Sequence, residues 1–152
     1  MKVQTVMTPD PTTCSPDMNL AGVAHLMWDH DCGFVPVVNA AGIVIGVITD
    51  RDICMATTTR RMLPEQIFAG QAMSSPVHAC SPGEPISSAL RTMKELRVRR
   101  LPVIDETGML RGVVSMNDMV LAAEDKKRPP AKDIVSTMAA ICAHRSAAPV
   151  AV

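Results

Sequence analysis

Gly46-Val47-Ile48-Thr49-Asp50-Arg51-Asp52 recurs 66 residues later as Gly112-Val113-Val114-Ser115-Met116-Asn117-Asp118. Each copy ends a short apolar run and begins a helical pattern. The run Ile43-Val44-Ile45-Gly46-Val47-Ile48 is rich in β-branched residues, which suits a buried strand. A small hydroxyl residue follows, then a carboxylate three places on. At a helix start such a pair can satisfy the unpaired N–H groups of the first turn. Thr49-x-x-Asp52 and Ser115-x-x-Asp118 thus fit capping boxes with Asp in place of Glu. The same groups could hold a sugar hydroxyl, with an anion close to the helix N-terminus.

The repetition extends outward without a gap. Met7 matches Met73, Pro16 matches Pro82, Leu20 matches Ile86, Met27 matches Met93, Pro36 matches Pro102 and Gly42 matches Gly108. Duplication of one structural unit explains a constant offset of this kind. Thr12-Thr13-Cys14 reads as a short extended piece. Ser15-Pro16 then reads as the N-cap and first turn of a helix, and its copy Ser81-Pro82-Gly83-Glu84 as a full capping box. Leu20, Val23, Ala24 and Met27, copied as Ile86, Ala89, Leu90 and Met93, make one apolar face.

Phe34–Val38 and Arg100–Ile104 read as strands whose proline confines them to an edge or a strand start. Asn39–Gly42 and Asp105–Gly108 read as turns. Each unit closes with a helix, carrying Ile53 and Met55 in one copy and Met119, Val120 and Leu121 in the other. The fold class is therefore α+β (α/β), with two tandem β-α-β-β-α units. One unit of this size cannot easily bury both faces, whereas two packed sheet against sheet can.

The expected divisions are repeat 1 over 1–60, a connector over 61–70 and repeat 2 over 71–124. A linker and tail take up 125–152. The linker, Asp125 to Pro130, is charged and ends in prolines. Ala131 to His144 is expected to form a last helix with Ile134, Met138 and Ile141 on one face, and Ser146 to Val152 to fray.

Composition narrows the function. Of 152 residues 47% are apolar, enough for a substantial core. Trp28, Phe34 and Phe68 are the whole aromatic complement, against a stacking surface for nucleic acid. Fifteen basic residues balance 15 acidic ones, so no global field favours nucleic acid or an anionic membrane. No stretch is long and apolar enough for a membrane span, and the N-terminus lacks a signal-peptide core. Cys14, Cys32, Cys54, Cys80 and Cys142 are odd in number and scattered. They read as reduced thiols of a cytoplasmic protein, with the repeat-equivalent Cys14 and Cys80 buried. His25, His30, His78 and His144 form no metal-ligand pattern, and Cys142-x-His144 is too short to count as one. Neither a nucleophile–base spacing nor a phosphate loop is present, so no metal site and no catalytic activity are expected.

The ordered set of residues resembles the CBS domain (the cystathionine β-synthase type repeat), and two in tandem resemble a Bateman module. The resemblance rests on Val6-Met7-Thr8-Pro9, Pro16-Asp17, Leu26-Met27, Val35-Pro36-Val37-Val38, Gly42 and Gly46 to Asp52 in the first unit. In the second it rests on Ala72-Met73-Ser74, Pro82, Leu101 to Asp105, Gly108 and Gly112 to Asp118. It spans about Val3 to Ala123. It implies two repeats related by a pseudo-twofold axis, with adenosine-containing ligands such as AMP, ATP, NAD or S-adenosylmethionine bound in clefts between them. It also implies a homodimer of two modules forming a flat disk.

By motif match the resemblance gives the ribose to Thr49 and Asp52 in one site and to Ser115 and Asp118 in the other. A carboxylate can accept two hydrogen bonds from a vicinal diol, which suits that role. The resemblance places the base near Thr13, Gly33 and Phe34 in one half and Ala79, Val98 and Arg99 in the other. It suggests that cations reach across the axis, Arg99 and Arg100 to the Thr49/Asp52 site and Arg51 to the Ser115/Asp118 site; a solvated charged face is the alternative. Arg97, Arg99 and Arg100 correspond to Asp31, Gly33 and Phe34, so the two sites are not equivalent. The leading expectation is a stand-alone regulatory module that senses an adenine nucleotide and signals to an unidentified effector protein. The rivals are an assembly module whose hydroxyl–carboxylate pairs only cap helices, and an enzyme acting on a bound nucleotide.

Overall fold

A computed structural model describes residues 1–124 and 129–143. Eleven elements follow in chain order: β1 (Thr8–Pro9), α1 (Leu20–Asp29), β2 (Phe34–Val38), β3 (Val44–Thr49), α2 (Asp50–Arg60), α3 (Ala69–Ala72), α4 (Ile86–Leu96), β4 (Arg100–Ile104), β5 (Leu110–Ser115), α5 (Met116–Ala122) and α6 (Ala131–Cys142). Short 3₁₀ turns at Val3–Thr5 and Pro64–Gln66 complete them. The charged part of the linker, 125–128, and the expected frayed end lie outside the described residues.

The strand hairpins form where the sequence places them. Strands β2 and β3 pair antiparallel, with Pro36 opposite Val47, and β4 and β5 pair likewise, with Pro102 opposite Val113. Cys14 N–H donates to the Pro36 carbonyl and Cys80 N–H to that of Pro102, each at 3.1 Å. Within a strand a residue's nitrogen faces the same side as its carbonyl, so each proline ring nitrogen points toward the short cysteine segment. The hairpin ladder loses no donor. The turns repeat too: Asn39 Oδ1 accepts from the N–H groups of Ala41 and Ile43, and Asp105 Oδ1 from those of Thr107 and Met109. The Thr107 hydroxyl, those N–H groups and Arg111 hold the Asp105 carboxyl well below the usual carboxylate range.

Helix starts differ from expectation. Helix α1 begins at Leu20, capped by Asn19, whose side chain accepts from Gly22 N–H at 2.9 Å. Ser15-Pro16 makes a turn ahead of it, with Met18 N–H donating to the Ser15 carbonyl. Ser81 N–H does donate to Glu84 Oε2, but Glu84 N–H bonds back to the Ser81 carbonyl, which closes a turn; α4 starts only at Ile86. Local serine–proline chemistry is common to turns and helix starts, and here the turn prevails.

The two repeats exchange their leading segments. Strand β1 pairs with β5 of the other repeat, through Thr8 opposite Val113. Its counterpart Ser74 bridges Val47, in the first repeat. Val3 is buried in the second core, with Leu90, Met93, Leu101 and Met119. Ile67 and Ala69, from the expected connector and just ahead of repeat 2, are fully buried in the first core with Leu20, Val35 and Ile48. The glycines of the recurrent motif allow this exchange. A Cβ at Gly112 would lie 2.7 Å from Met7 Sδ and 2.8 Å from the Thr8 carbonyl oxygen, and one at Gly46 would collide with Met73 Sδ. The pseudo-twofold axis passes between Ile43 and Met109, which are repeat equivalents and bridge each other.

Helix α6 breaks the symmetry. It packs on α4 and α5, burying Ile134 and Thr137 and resting Met138 and Ile141 on the second core. Lys94 Nζ donates to Ser136 Oγ at 2.7 Å. Leu90 is therefore buried, whereas its equivalent Ala24, expected on the buried face of α1, is exposed. Of the closing-helix residues, Met119 is buried and Ile53 half-buried, while Met55, Val120 and Leu121 are exposed.

Candidate functional site

Both capping boxes form. Thr49 sits at the end of β3 in extended backbone, as N-cap of α2. Its N–H and its hydroxyl both donate to Asp52 Oδ2, at 2.8 and 2.7 Å, and Asp52 N–H donates back to Thr49 Oγ1 at 3.2 Å. Ser115 and Asp118 repeat this geometry at the head of α5, at 2.7, 2.7 and 3.2 Å. In each pair Oδ2 serves the cap, and Oδ1 accepts none of the described side-chain hydrogen bonds. One carboxylate can therefore cap its helix and still accept from an external diol.

The surroundings separate the two pairs. A cavity of about 980 Å³ lies between the repeats and is lined by Thr49, Asp52, Arg51, Phe34, Val98, Arg99 and Arg100. Seven of the expected site residues thus share one space, of a size usual for small-molecule sites, about 300–1,000 Å³. Asp50, Arg97, Ser74, Pro76 and His78 also line it. Four arginines face two carboxylates there. Among the described residues none of the four makes an ion pair or a side-chain hydrogen bond, the one described ion pair being Arg111 with Asp105. Unpaired guanidinium groups in a concave space suit a phosphate.

Other expected residues lie elsewhere. Arg51, assigned to the Ser115/Asp118 site, lines the Thr49/Asp52 cavity beside Asp50, whose Oδ1 accepts its N–H at 2.8 Å. Gly33 lines a separate groove of about 520 Å³ between α1 and α2. Thr13, Ala79, Ser115 and Asp118 line neither cavity. Sequence reading missed Ser74, Pro76 and His78, which the segment exchange carries to the cleft. Their signal is the copy of Met7-Thr8 at Met73-Ser74, read as fold signature alone. It also missed Ile141, Cys142 and Ala143, the end of α6, which line the cavity near the arginines. A helix C-terminus carries partial negative charge, so this placement is electrostatically favourable. Among the described residues no group of three or more His, Cys, Asp or Glu side chains could hold a metal ion, and no helix is long and apolar enough to cross a membrane.

Comparison with known proteins agrees with this architecture. The CBS domain family model matches twice, over residues 3–58 and 69–125. The chain is 32% identical over 111 residues to protein MK0525 of Methanopyrus kandleri, covering 73% of this chain and 57% of that one. It is 31% identical over 119 residues to the CBS domain-containing protein YhcV of Bacillus subtilis, covering 78% and 83%. Its similarity to the inosine-5'-monophosphate dehydrogenase of Mycobacterium tuberculosis, 31% over 114 residues, covers 75% of this chain but 21% of the enzyme. Among solved structures, a CBS-domain protein of Agrobacterium tumefaciens superimposes with a TM-score of 0.72 at 29% identity, over 80% of this chain and 98% of that one. CBSX2 in complex with AMP gives 0.72 at 23% identity, over 84% and 98%. The chain belongs to the CBS domain family and is a tandem CBS pair.

Proposed function

We propose that this CBS pair is a regulatory module that binds a phosphate-bearing adenosine ligand in the Thr49/Asp52 cleft and signals to a partner protein. The observation that carries the reading is the convergence in one cavity of a carboxylate with a free oxygen and four unpaired arginines. Asp52 Oδ1 accepts from the ribose diol, and the arginines grip the phosphate. Phe34, Val98 and Leu101 give the base apolar contact. The cationic lining favours AMP, ATP or NAD over S-adenosylmethionine, whose sulfonium carries positive charge. AMP in the structure of CBSX2, and 5'-methylthioadenosine with S-adenosyl-L-methionine on the CBS pair of MJ0100, support an adenosine ligand.

The Ser115/Asp118 pair is read as a helix cap without a ligand. The end of α6 forms part of the cleft wall, so an occupant favours one placement of α6 and shifts what a partner meets. Such a shift is limited by the ligand's differential affinity for the two placements.

A thermal-shift panel tests the reading. AMP, ATP, NAD, S-adenosylmethionine and adenosine are each added at rising concentration. A site-specific ligand at 100 times its Kd stabilises the folded state by about 2.7 kcal/mol. The phosphate-bearing ligands raise Tm, and adenosine and S-adenosylmethionine do so less. No shift with any ligand favours the assembly module instead.

A further inference from the structure

Helix α6 reaches the cleft at its end alone. Ile134 and Thr137 are buried, and Met138 and Ile141 rest on the second core. Lys94 Nζ donates to Ser136 Oγ, and three residues after Lys94 the chain reaches Arg97, which closes α4. Helix α6 thus lies along the helix that leads into Arg97, Arg99 and Arg100, and its last residues, Ile141, Cys142 and Ala143, line the cavity with those arginines. Packing anchors the body of α6, so its end stands as a wall of the cleft.

That wall bears on how much phosphate the cleft holds. Four arginines and the carboxylates of Asp50 and Asp52 line the cavity, which leaves an excess of two positive charges apart from His78. A phosphate monoester, at about −1.5 to −2 near pH 7, balances that excess. A di- or triphosphate carries more negative charge than the lining offsets. The end of a helix presents its last carbonyls and the negative pole of its dipole, so it repels an anion brought against it. Ala143 N–H donates back to the Ala139 carbonyl at 3.0 Å, so it is turned into the helix and away from a ligand. We infer that the end of α6 limits the phosphate chain and makes the Thr49/Asp52 cleft selective for an adenosine monophosphate over the di- and triphosphate. With the ribose on Asp52 and the first phosphate on the arginines, further phosphates run into Ile141, Cys142 and Ala143. The inference rests on the function proposed above and narrows its ligand to one charge class.

Calorimetric titration of the full chain with AMP, ADP and ATP, without magnesium, reads this selectivity as a ratio of Kd values. ATP binds the native chain about tenfold more weakly than AMP, and ADP falls between them. Ile141→Gly combined with Cys142→Gly frays the last turn of α6, because glycine is a poor helix former, and leaves Ile134, Thr137 and Met138 in place. In that variant the ratio falls toward one, mainly because ATP binds more tightly. Ile141→Ala, which trims the wall and keeps the helix, moves the ratio the same way by a smaller amount. Circular dichroism verifies folding, and Ile141→Ala decides alone where the glycine variant does not fold. Equal affinity for AMP and ATP in the native chain overturns the inference, as does a ratio unchanged in the folded variants. In either case AMP binding that is lost in Asp52→Ala leaves the proposed function standing. Absence of binding by all three nucleotides overturns the proposed function and this inference together.

Discussion

Thr49 and Asp52 are joined through one carboxylate oxygen: the Thr49 N–H and hydroxyl both donate to Asp52 Oδ2, leaving Oδ1 free of described side-chain bonds in a residue that lines the inter-repeat cavity. The pair Ser115 and Asp118 has the same bonds but lines neither cavity. On the function proposed above, identical local geometry serves two different purposes, and substitution separates them. Asp52→Ala and Asp118→Ala each cost about 1 kcal/mol of stability, the usual value of a lost cap. Denaturant unfolding measures that loss. Only Asp52→Ala abolishes nucleotide binding.

Arg97 closes α4 in the left-handed region, at φ 55°, and also lines the cavity. Glycine adopts that conformation without the steric cost borne by arginine, about 1 kcal/mol. Arg97→Gly therefore leaves stability unchanged or raised, while weakening nucleotide affinity. Arg99→Ala and Arg100→Ala each remove a charge-assisted contact worth about 1.5–3 kcal/mol, or roughly ten- to hundredfold in Kd. Paired unfolding and binding curves for the three variants check this.

Gly46 lies under Met73, and Gly112 under Met7 and the Thr8 carbonyl. Gly112→Ala forces backbone apart and costs about 1–3 kcal/mol by overpacking. At Gly46 the obstacle is a flexible methionine side chain, so Gly46→Ala costs less and Met73→Ala partly relieves it. A double-mutant cycle in urea measures the coupling.

Much of this was legible in advance. The constant offset from Met7 to Asp118 revealed the repeat, and the β-branched runs and turn residues placed both hairpins. Pairing across repeats was not legible, because Thr8-Pro9 and Ser74 carry too few residues for a periodic signal. Helix starts at Leu20 and Ile86 were misplaced because serine–proline serves turns and caps alike. Thr49, Asp52, Arg99 and Arg100, chosen from motif position, share one cavity. Arg51, expected beside Ser115 and Asp118, lines that same cavity, since sequence does not tell which side of a helix start faces the axis. The last helix was legible from its apolar spacing, but the reach of its end to the cavity was not, because it has no counterpart in repeat 1.

Thiol chemistry provides an independent check on packing. Burial pushes the Cys14 thiol up to about 11, and burial with the nearby Glu84 charge pushes Cys80 up to about 12. Cys54 and Cys142 are exposed. At pH 8 iodoacetamide modifies Cys54 and Cys142 first, while Cys14 and Cys80 react only after unfolding, as intact and peptide mass spectrometry would show. Nucleotide in the cleft slows modification of Cys142 but not of Cys54. Because both buried thiols have raised values, their contribution to stability is fully present below about pH 8.5, the ordinary thiol value. It is lost as pH rises toward 11–12. A Cys14→Ala, Cys80→Ala double variant loses less stability between pH 9 and 11 than the native chain.

The most direct test of the central claim is calorimetric titration of AMP into the native protein, Asp52→Ala and Asp118→Ala in parallel. The account predicts saturable binding of one AMP per chain, retained in Asp118→Ala and lost in Asp52→Ala. Binding that survives Asp52→Ala, or that depends on Asp118, would contradict the assignment of the ligand to the Thr49/Asp52 cleft.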